Sequence, residues 1–259
     1  MLRDSFGKNL IGMNKEFRFR GQEPGRLENF SDACFALAIT LLLISTSPPS
    51  SFEQMKKFAW EIIPFLFCIT LIVMIWQQHF IFFFRYGLRN ATVVALNAVF
   101  IVIVLFYVYP LKFLAKAILI PITNLFGQDA LHAELKSVYK GNEMGDLMVI
   151  YGLGAMSIFM VLAMLYRYAL TKADELELND IERFDSKSSM QANFLMGLVP
   201  FLSVVVALIF WNSPLVGLFS GMTYFLYSPV MAIFWSRNGK RRSKLLEISN
   251  EPADLLQYP

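Results

Sequence analysis

Cysteine and histidine are nearly absent: two of each occur in 259 residues. Cys34 and Cys68 both sit inside apolar runs, which excludes a disulfide scaffold, and no Cys/His cluster has the spacing of metal ligands. Nor is there an HExxH, GxSxG or paired-carboxylate motif, the usual marks of a hydrolytic site. Charge is scarce as well, at 17% of residues against about 25% in soluble domains. Residues 1–29 are polar and mixed in charge and lack the apolar stretch and small-residue cleavage site of a signal peptide. Apolar residues, by contrast, make up 56% of the chain, with 25 phenylalanines and a mean hydropathy of +0.50. A soluble core of this length has no use for so much, and the composition is that of a multi-spanning membrane protein. The net charge of +3 fits basic residues flanking membrane spans better than nucleic-acid binding.

A bilayer core of about 30 Å needs about 20 apolar residues as helix. Six segments qualify: Phe30–Ser45, Phe58–Phe84, Ala91–Leu111, Leu147–Leu170, Ala192–Trp211 and Leu215–Trp235. A Ser/Pro-rich stretch, Ser45–Ser51, ends the first, and a polar insert, Gly127–Asp146, separates the third from the fourth. Of the Lys and Arg residues, 17 fall on the side of the two termini and six on the other. The positive-inside rule then places both termini in the cytoplasm, which requires an even number of spans. The expected organisation is an all-α membrane protein: a cytoplasmic segment over 1–29, a six-helix domain over 30–236 and a cytoplasmic tail over 237–259.

The first span is short. Its apolar run from Ala33 to Ile44 has 12 residues, and the whole of Phe30–Ser45 covers about 24 Å at the helical rise. Such a helix belongs inside a bundle or beside water rather than in lipid. Taken alone, Ser31-Asp32 reads as a helix N-cap at the cytoplasmic interface. The second span, however, carries Trp76 and His79 and the third carries Asn97, donors and acceptors that lipid cannot satisfy. With the start of the first span, the end of the second and the start of the third all cytoplasmic, these groups share one layer. Arg26, Ser31, Asp32, Trp76, His79 and Asn97 are therefore expected to form one structural polar network joining three helices.

The segment from Arg26 through Phe30, Ser31, Asp32 and Ala36 to Thr40 resembles the R-x3-F-S-D-x3-A-x3-T signature that opens the first helix of the transmembrane protein 175 family. These are the endolysosomal potassium channels and their prokaryotic relatives. Trp76-Gln-Gln-His79 is similar to the W-x2-H of the family's second helix, and Asn97 and Tyr109-Pro110 to the Asn and Pro of its third. The resemblance implies a single-repeat prokaryotic member in a prokaryotic cell membrane, with four identical subunits around one pore lined by the first helix. It also implies constrictions at Leu37, at Thr40 or Leu41, and at Ile44, and adds Phe30 to the signature residues of the polar network. Positions 37, 41 and 44 follow the i, i+4, i+7 spacing of one helix face, which a mere packing stripe would also show.

No T-V-G-Y-G carbonyl filter occurs in the chain, and no span has Arg at every third position as a voltage sensor does. Selectivity for permeant K⁺ would then arise at a hydrophobic constriction that the ion crosses partly dehydrated. The function so implied is a leak-type, weakly to moderately selective, potassium-permeable channel, with no enzymatic activity and no cofactor. The competing readings are a proton-coupled secondary transporter, with His79 and Asp32 as its pair, and a proton-permeable channel. Against the transporter, there is no inverted repeat and no matched pair of broken spans. The basic run Arg237, Lys240, Arg241, Arg242 and Lys244 sets topology and can meet anionic headgroups. The acidic run Asp174–Glu182 reads as a solvated helical extension. Gly152, Gly154 and Ala155 are small residues suited to close helix packing.

Overall fold

The structure is a computed structural model that describes residues 16–44, 49–125 and 143–250, and every regular element among them is helical. In chain order these are α1 (Arg26–Ile44), α2 (Phe52–Trp60), α3 (Ile62–Tyr86), α4 (Ala91–Leu125), α5 (Glu143–Thr171), α6 (Asp180–Ile209), α7 (Val216–Met222), a 3-10 turn (Thr223–Leu226) and α8 (Tyr227–Asn250). Helices are what apolar segments must form where no water can satisfy the backbone.

Five stretches are long and apolar enough to cross a membrane: Phe52–Tyr86, Ala91–Val108, Glu143–Thr171, Asp180–Ile209 and Val216–Ile248. They correspond to the second through sixth expected spans. The first, α1, has 19 residues, and Arg26, Glu28 and Asp32 fall among them. The helices overrun their apolar cores, because a helix ends at a cap and not where hydropathy falls. Thus α4 continues past Leu111 to Leu125, α5 starts at Glu143 within the expected polar insert, and α8 runs past Trp235 to Asn250. The rest of that insert, 127–142, lies outside the described residues, as does Ser45. The sixth span is broken by the 3-10 turn into α7 and α8.

The caps are local and readable. Gly87, with φ of 59°, closes α3, its N–H donating to the Phe83 carbonyl at 2.8 Å. Asn179 opens α6 with a capping box: its side chain accepts from the Glu182 N–H at 2.8 Å while the Glu182 carboxylate accepts from the Asn179 N–H at 3.0 Å. The acidic run is accordingly not a solvated helical extension. It is a tight turn over 172–177, with Glu177 at a φ of 49°, followed by a cap. Helix formation there is interrupted because Asn179 and Glu182 satisfy the free N–H groups that a new helix start exposes.

Helices α5 and α6 form the most extensive pairing in the bundle. Gly152 brings α5 against Val204 and the Pro200 carbonyl, and Gly197 brings α6 against Met160. Helix α4 packs on the other side of α5, with the Tyr107 ring lying directly on Gly154. Helix α1 rests on α4 and α3. Near the C-terminal end of α3, Phe82 and Tyr86 each meet the Tyr166 ring edge to face, with centroids 5.4 and 6.0 Å apart.

Candidate functional site

Helix α1 has two faces. Ser31, Phe35, Ala38 and Leu42 are buried, each at or below 3% exposure, and follow one stripe against α3 and α4. On the opposite side Ala33, Leu37 and Thr40 are exposed, with Leu41 beside them; Leu37 is 51% and Leu41 41% exposed. The Thr40 hydroxyl donates to the Ala36 carbonyl at 2.9 Å. Its donor is therefore committed, and its lone pairs face away from the bundle. Ile44 is the last residue of α1, and its side chain lies outside the described ones.

Behind that face, the polar residues do meet, as two separate links. In the buried one, His79 Nε2 lies 2.7 Å from Asn97 Oδ1, Asn97 Nδ2 donates to Ser31 Oγ at 2.8 Å, and Ser31 Oγ donates to the Leu27 carbonyl at 2.9 Å. The direction is self-consistent. Ser31 spends its proton on Leu27, so it accepts from the amide, which leaves Oδ1 to accept from a proton on His79 Nε2. The chain crosses α3, α4 and α1, and the imidazole is stacked on Phe100 at 5.3 Å with an 11° interplanar angle. His79 and Asn97 are each 1% exposed. The second link is exposed: Trp76 Nε1 donates to Asp32 Oδ1 at 2.8 Å.

Arg26 is not in the network. It is exposed, and among the described residues no hydrogen bond or ion pair reaches it. The physical reason is angular: five residues before Ser31 is a similar depth but about 140° around the helix at 3.6 residues per turn. Phe30, 61% exposed, likewise sits off the buried stripe. The ion pair that ties the start of α1 involves Glu28 instead. Its carboxylate accepts from Arg89 Nε at 3.1 Å and from the Gly25 N–H at 3.0 Å, which pins α1 to the turn between α3 and α4.

A further constellation, at the N-terminal end of α1, escaped sequence reasoning altogether. Residues 16–25 form a strap across the ends of α3 and α6. The Arg20 and Gly21 N–H groups donate to the carbonyls of Arg85 and Phe84 at 3.2 and 3.1 Å. Glu182, with no solvent exposure, accepts from the Arg18 N–H at 2.7 Å and from Arg20 Nη2 at 2.9 Å. Phe17 is 2% exposed beneath the Arg85 guanidinium, whose carbon lies 5.0 Å from the ring centroid. A signal was present: Phe17-Arg18-Phe19-Arg20 alternates with period two, the pattern of an extended segment with one apolar face. Arg242 completes the layer by holding Asp185 at 2.9 Å and Glu16 at 2.8 Å. It is thus committed within the protein, unlike the exposed Arg237, Lys240, Arg241 and Lys244.

Comparison with known proteins supplies the context. Residues 26–107 match the family model described as endosomal/lysosomal potassium channel TMEM175. Over 241 residues the chain is 42% identical to a protein of Marivirga tractuosa named potassium channel, covering 93% of this chain and 98% of that one. It also superposes, with a TM-score of 0.80 and 42% identity, on the crystal structure of a threonine-to-alanine variant of the potassium channel MtTMEM175, bound to a nanobody–MBP fusion protein. That match covers 89% of this chain and 100% of the other.

Proposed function

Because the chain belongs to the TMEM175 family of endosomal/lysosomal potassium channels, as a prokaryotic member, we propose that four copies surround a central pore lined by α1. It is a membrane-embedded potassium channel and not an enzyme. The observation that carries the pore assignment is the exposed face of α1. A helix of 19 residues with three ionisable groups in its first two turns is poorly suited to lipid. Yet in one subunit its Leu37–Thr40–Leu41 side has no neighbour to pack on. Around a four-fold axis, that side faces its own copies and a file of water. Helix α1 is then the sixth span, and both termini are cytoplasmic.

Conduction follows from the side chains. Rings of Leu37 and Leu41 present neither charge nor carbonyl ligands, so an ion crossing them sheds part of its hydration shell. K⁺ holds its water less tightly than Na⁺ and crosses at lower cost. The four Thr40 hydroxyls, their protons committed to Ala36, offer lone pairs that return part of the lost hydration. A barrier of this kind discriminates modestly, which gives a leak-type, weakly to moderately selective pathway. The His79–Asn97–Ser31 chain and the Trp76–Asp32 bond set the rotation of α1, so that Leu37 meets the axis. The exposed basic residues Arg237, Lys240, Arg241 and Lys244 lie against anionic headgroups of the cytoplasmic leaflet.

The test is the reversal potential of purified protein in a planar bilayer with K⁺ on one side and Na⁺ on the other. The wild type shifts toward the potassium equilibrium potential, and Leu37→Ser moves it back toward zero while raising conductance. An unchanged reversal potential in assembled Leu37→Ser channels removes Leu37 from the path. Electrical silence with proton-driven solute uptake replaces the channel by a transporter.

A further inference from the structure

A cavity of about 1060 Å³ lies away from α1, between α5, α6 and α8. That is at the upper end of what sites for small organic molecules enclose. Its lining is graded. Met160, Phe194 and Ile233 form one end and Arg167, Arg237 and Arg241 the other. The gradient runs the same way on all three helices, because α5 and α8 descend toward the cytoplasmic side while α6 rises from it. On α8 alone the lining extends from Val230 to Arg241, about 16 Å at the helical rise.

Two features of the basic end are unexplained by the protein itself. No hydrogen bond or ion pair reaches Arg167, Arg237 or Arg241 among the described residues, and no carboxylate lines the cavity. The carboxylates at that level, Glu182 and Asp185, are already held by Arg18, Arg20 and Arg242. Asn238 also lines the cavity, and although the residue is only 8% exposed, its Nδ2 has no hydrogen-bond partner. A buried amide donor left unpaired is costly, and together with three guanidiniums it calls for an acceptor carrying negative charge. A phosphate attached to an acyl chain meets both ends of the cavity at once.

We propose that this cavity is a site for one anionic phospholipid of the cytoplasmic leaflet. The phosphate is held by Arg167, Arg237 and Arg241 beside Asn238, and an acyl chain lies along Met160, Phe194 and Ile233. The assignment goes beyond a diffuse attraction of the C-terminal basic run for headgroups, and it rests on the cytoplasmic placement of α8 in the channel reading.

The test is native mass spectrometry of the delipidated full-length protein titrated with phosphatidylglycerol or phosphatidylcholine. The readout does not depend on ion flow, so loss of channel activity and loss of lipid binding are told apart. Phosphatidylglycerol is expected at one per subunit. The double variant Arg237→Gln/Arg241→Gln weakens it about 30-fold, whereas Lys240→Gln/Lys244→Gln, which removes the same charge outside the cavity, changes it less than about threefold. Each variant is checked for unchanged assembly by size exclusion, and Asn238→Asp, which opposes the phosphate while keeping the side chain's shape, provides a second route to weakened binding. Equal weakening by both double variants reduces the site to diffuse electrostatics and overturns the proposal. So does equal binding of phosphatidylcholine, or full competition by inorganic phosphate. Absence of any bound lipid in wild-type assemblies also overturns it, assigning the groove to a neighbouring subunit.

Discussion

Replacing Asn97 by leucine, which keeps the branching at Cγ without the polar atoms, should do more damage than replacing the whole polar chain. Asn97 accepts from His79 at 2.7 Å and donates to Ser31 at 2.8 Å, and all three residues are buried at 1% exposure or less. Interhelical hydrogen bonds within membranes contribute about 0.6 kcal/mol on average and up to about 1.7 kcal/mol. A buried N–H left without an acceptor costs about 1–3 kcal/mol. Asn97→Leu removes two such bonds and strands the proton on His79 Nε2, a total of about 2–4 kcal/mol. If His79→Phe and Ser31→Ala are made first, no donor is stranded and the aromatic stack on Phe100 survives, so adding Asn97→Leu should cost less than about 1 kcal/mol. The assay is unfolding in mixed micelles by titrated dodecyl sulfate, followed by circular dichroism, for each single variant and the combinations. Additive losses would refute the claim that the three side chains act as one directional chain.

Two other substitutions probe the Arg18–Arg20–Glu182 layer and the helix packing. Glu182→Gln leaves the partly exposed Arg18 and Arg20 facing a neutral amide and should destabilise this end of the bundle by about 1.5–3 kcal/mol. Limited proteolysis should then cut within residues 16–25 much faster than in the wild type, and unchanged cleavage would mean that the strap does not depend on this carboxylate. Gly154→Ala places a methyl group where the Tyr107 ring lies and should cost about 1–3 kcal/mol. A Tyr107→Ala partner change should recover part of that loss in the same unfolding assay, and its failure to do so would put the strain elsewhere.

The polar residues inside apolar helices were legible from sequence because lipid gives them no partner but each other, and Ser31, Asp32, Trp76, His79 and Asn97 do pair. Their division into two links was not legible, since it depends on how α1 is rotated against α3 and α4. Arg26 illustrates the same limit: proximity along the chain fixed its depth, while helical rotation turned it away. The strap was hidden for another reason. Arg20 and Glu182 are separated by 162 positions, and no local period relates a basic residue before the first helix to an acidic one at the start of the fifth apolar span. Hydropathy located the five long apolar helices, but caps such as Gly87 and Asn179 decide where helices stop.

The ties of α1 to the rest of the subunit are unevenly distributed along it. Its polar ones sit at Glu28, Ser31 and Asp32, within its first two turns, while Ala38 and Leu42 meet the bundle through apolar contact. Hydrogen bonds resist rotation and sliding because they are directional, whereas apolar surfaces tolerate both at small cost. Mechanically, α1 is a lever with its fulcrum at its N-terminal end. Leu41 stands about 20 Å above Glu28, so a tilt of about 5° about that end carries it sideways by about 1.7 Å. In the proposed four-fold assembly, that travel would widen a ring of leucines by more than a water radius, without breaking any of the bonds that fix the fulcrum.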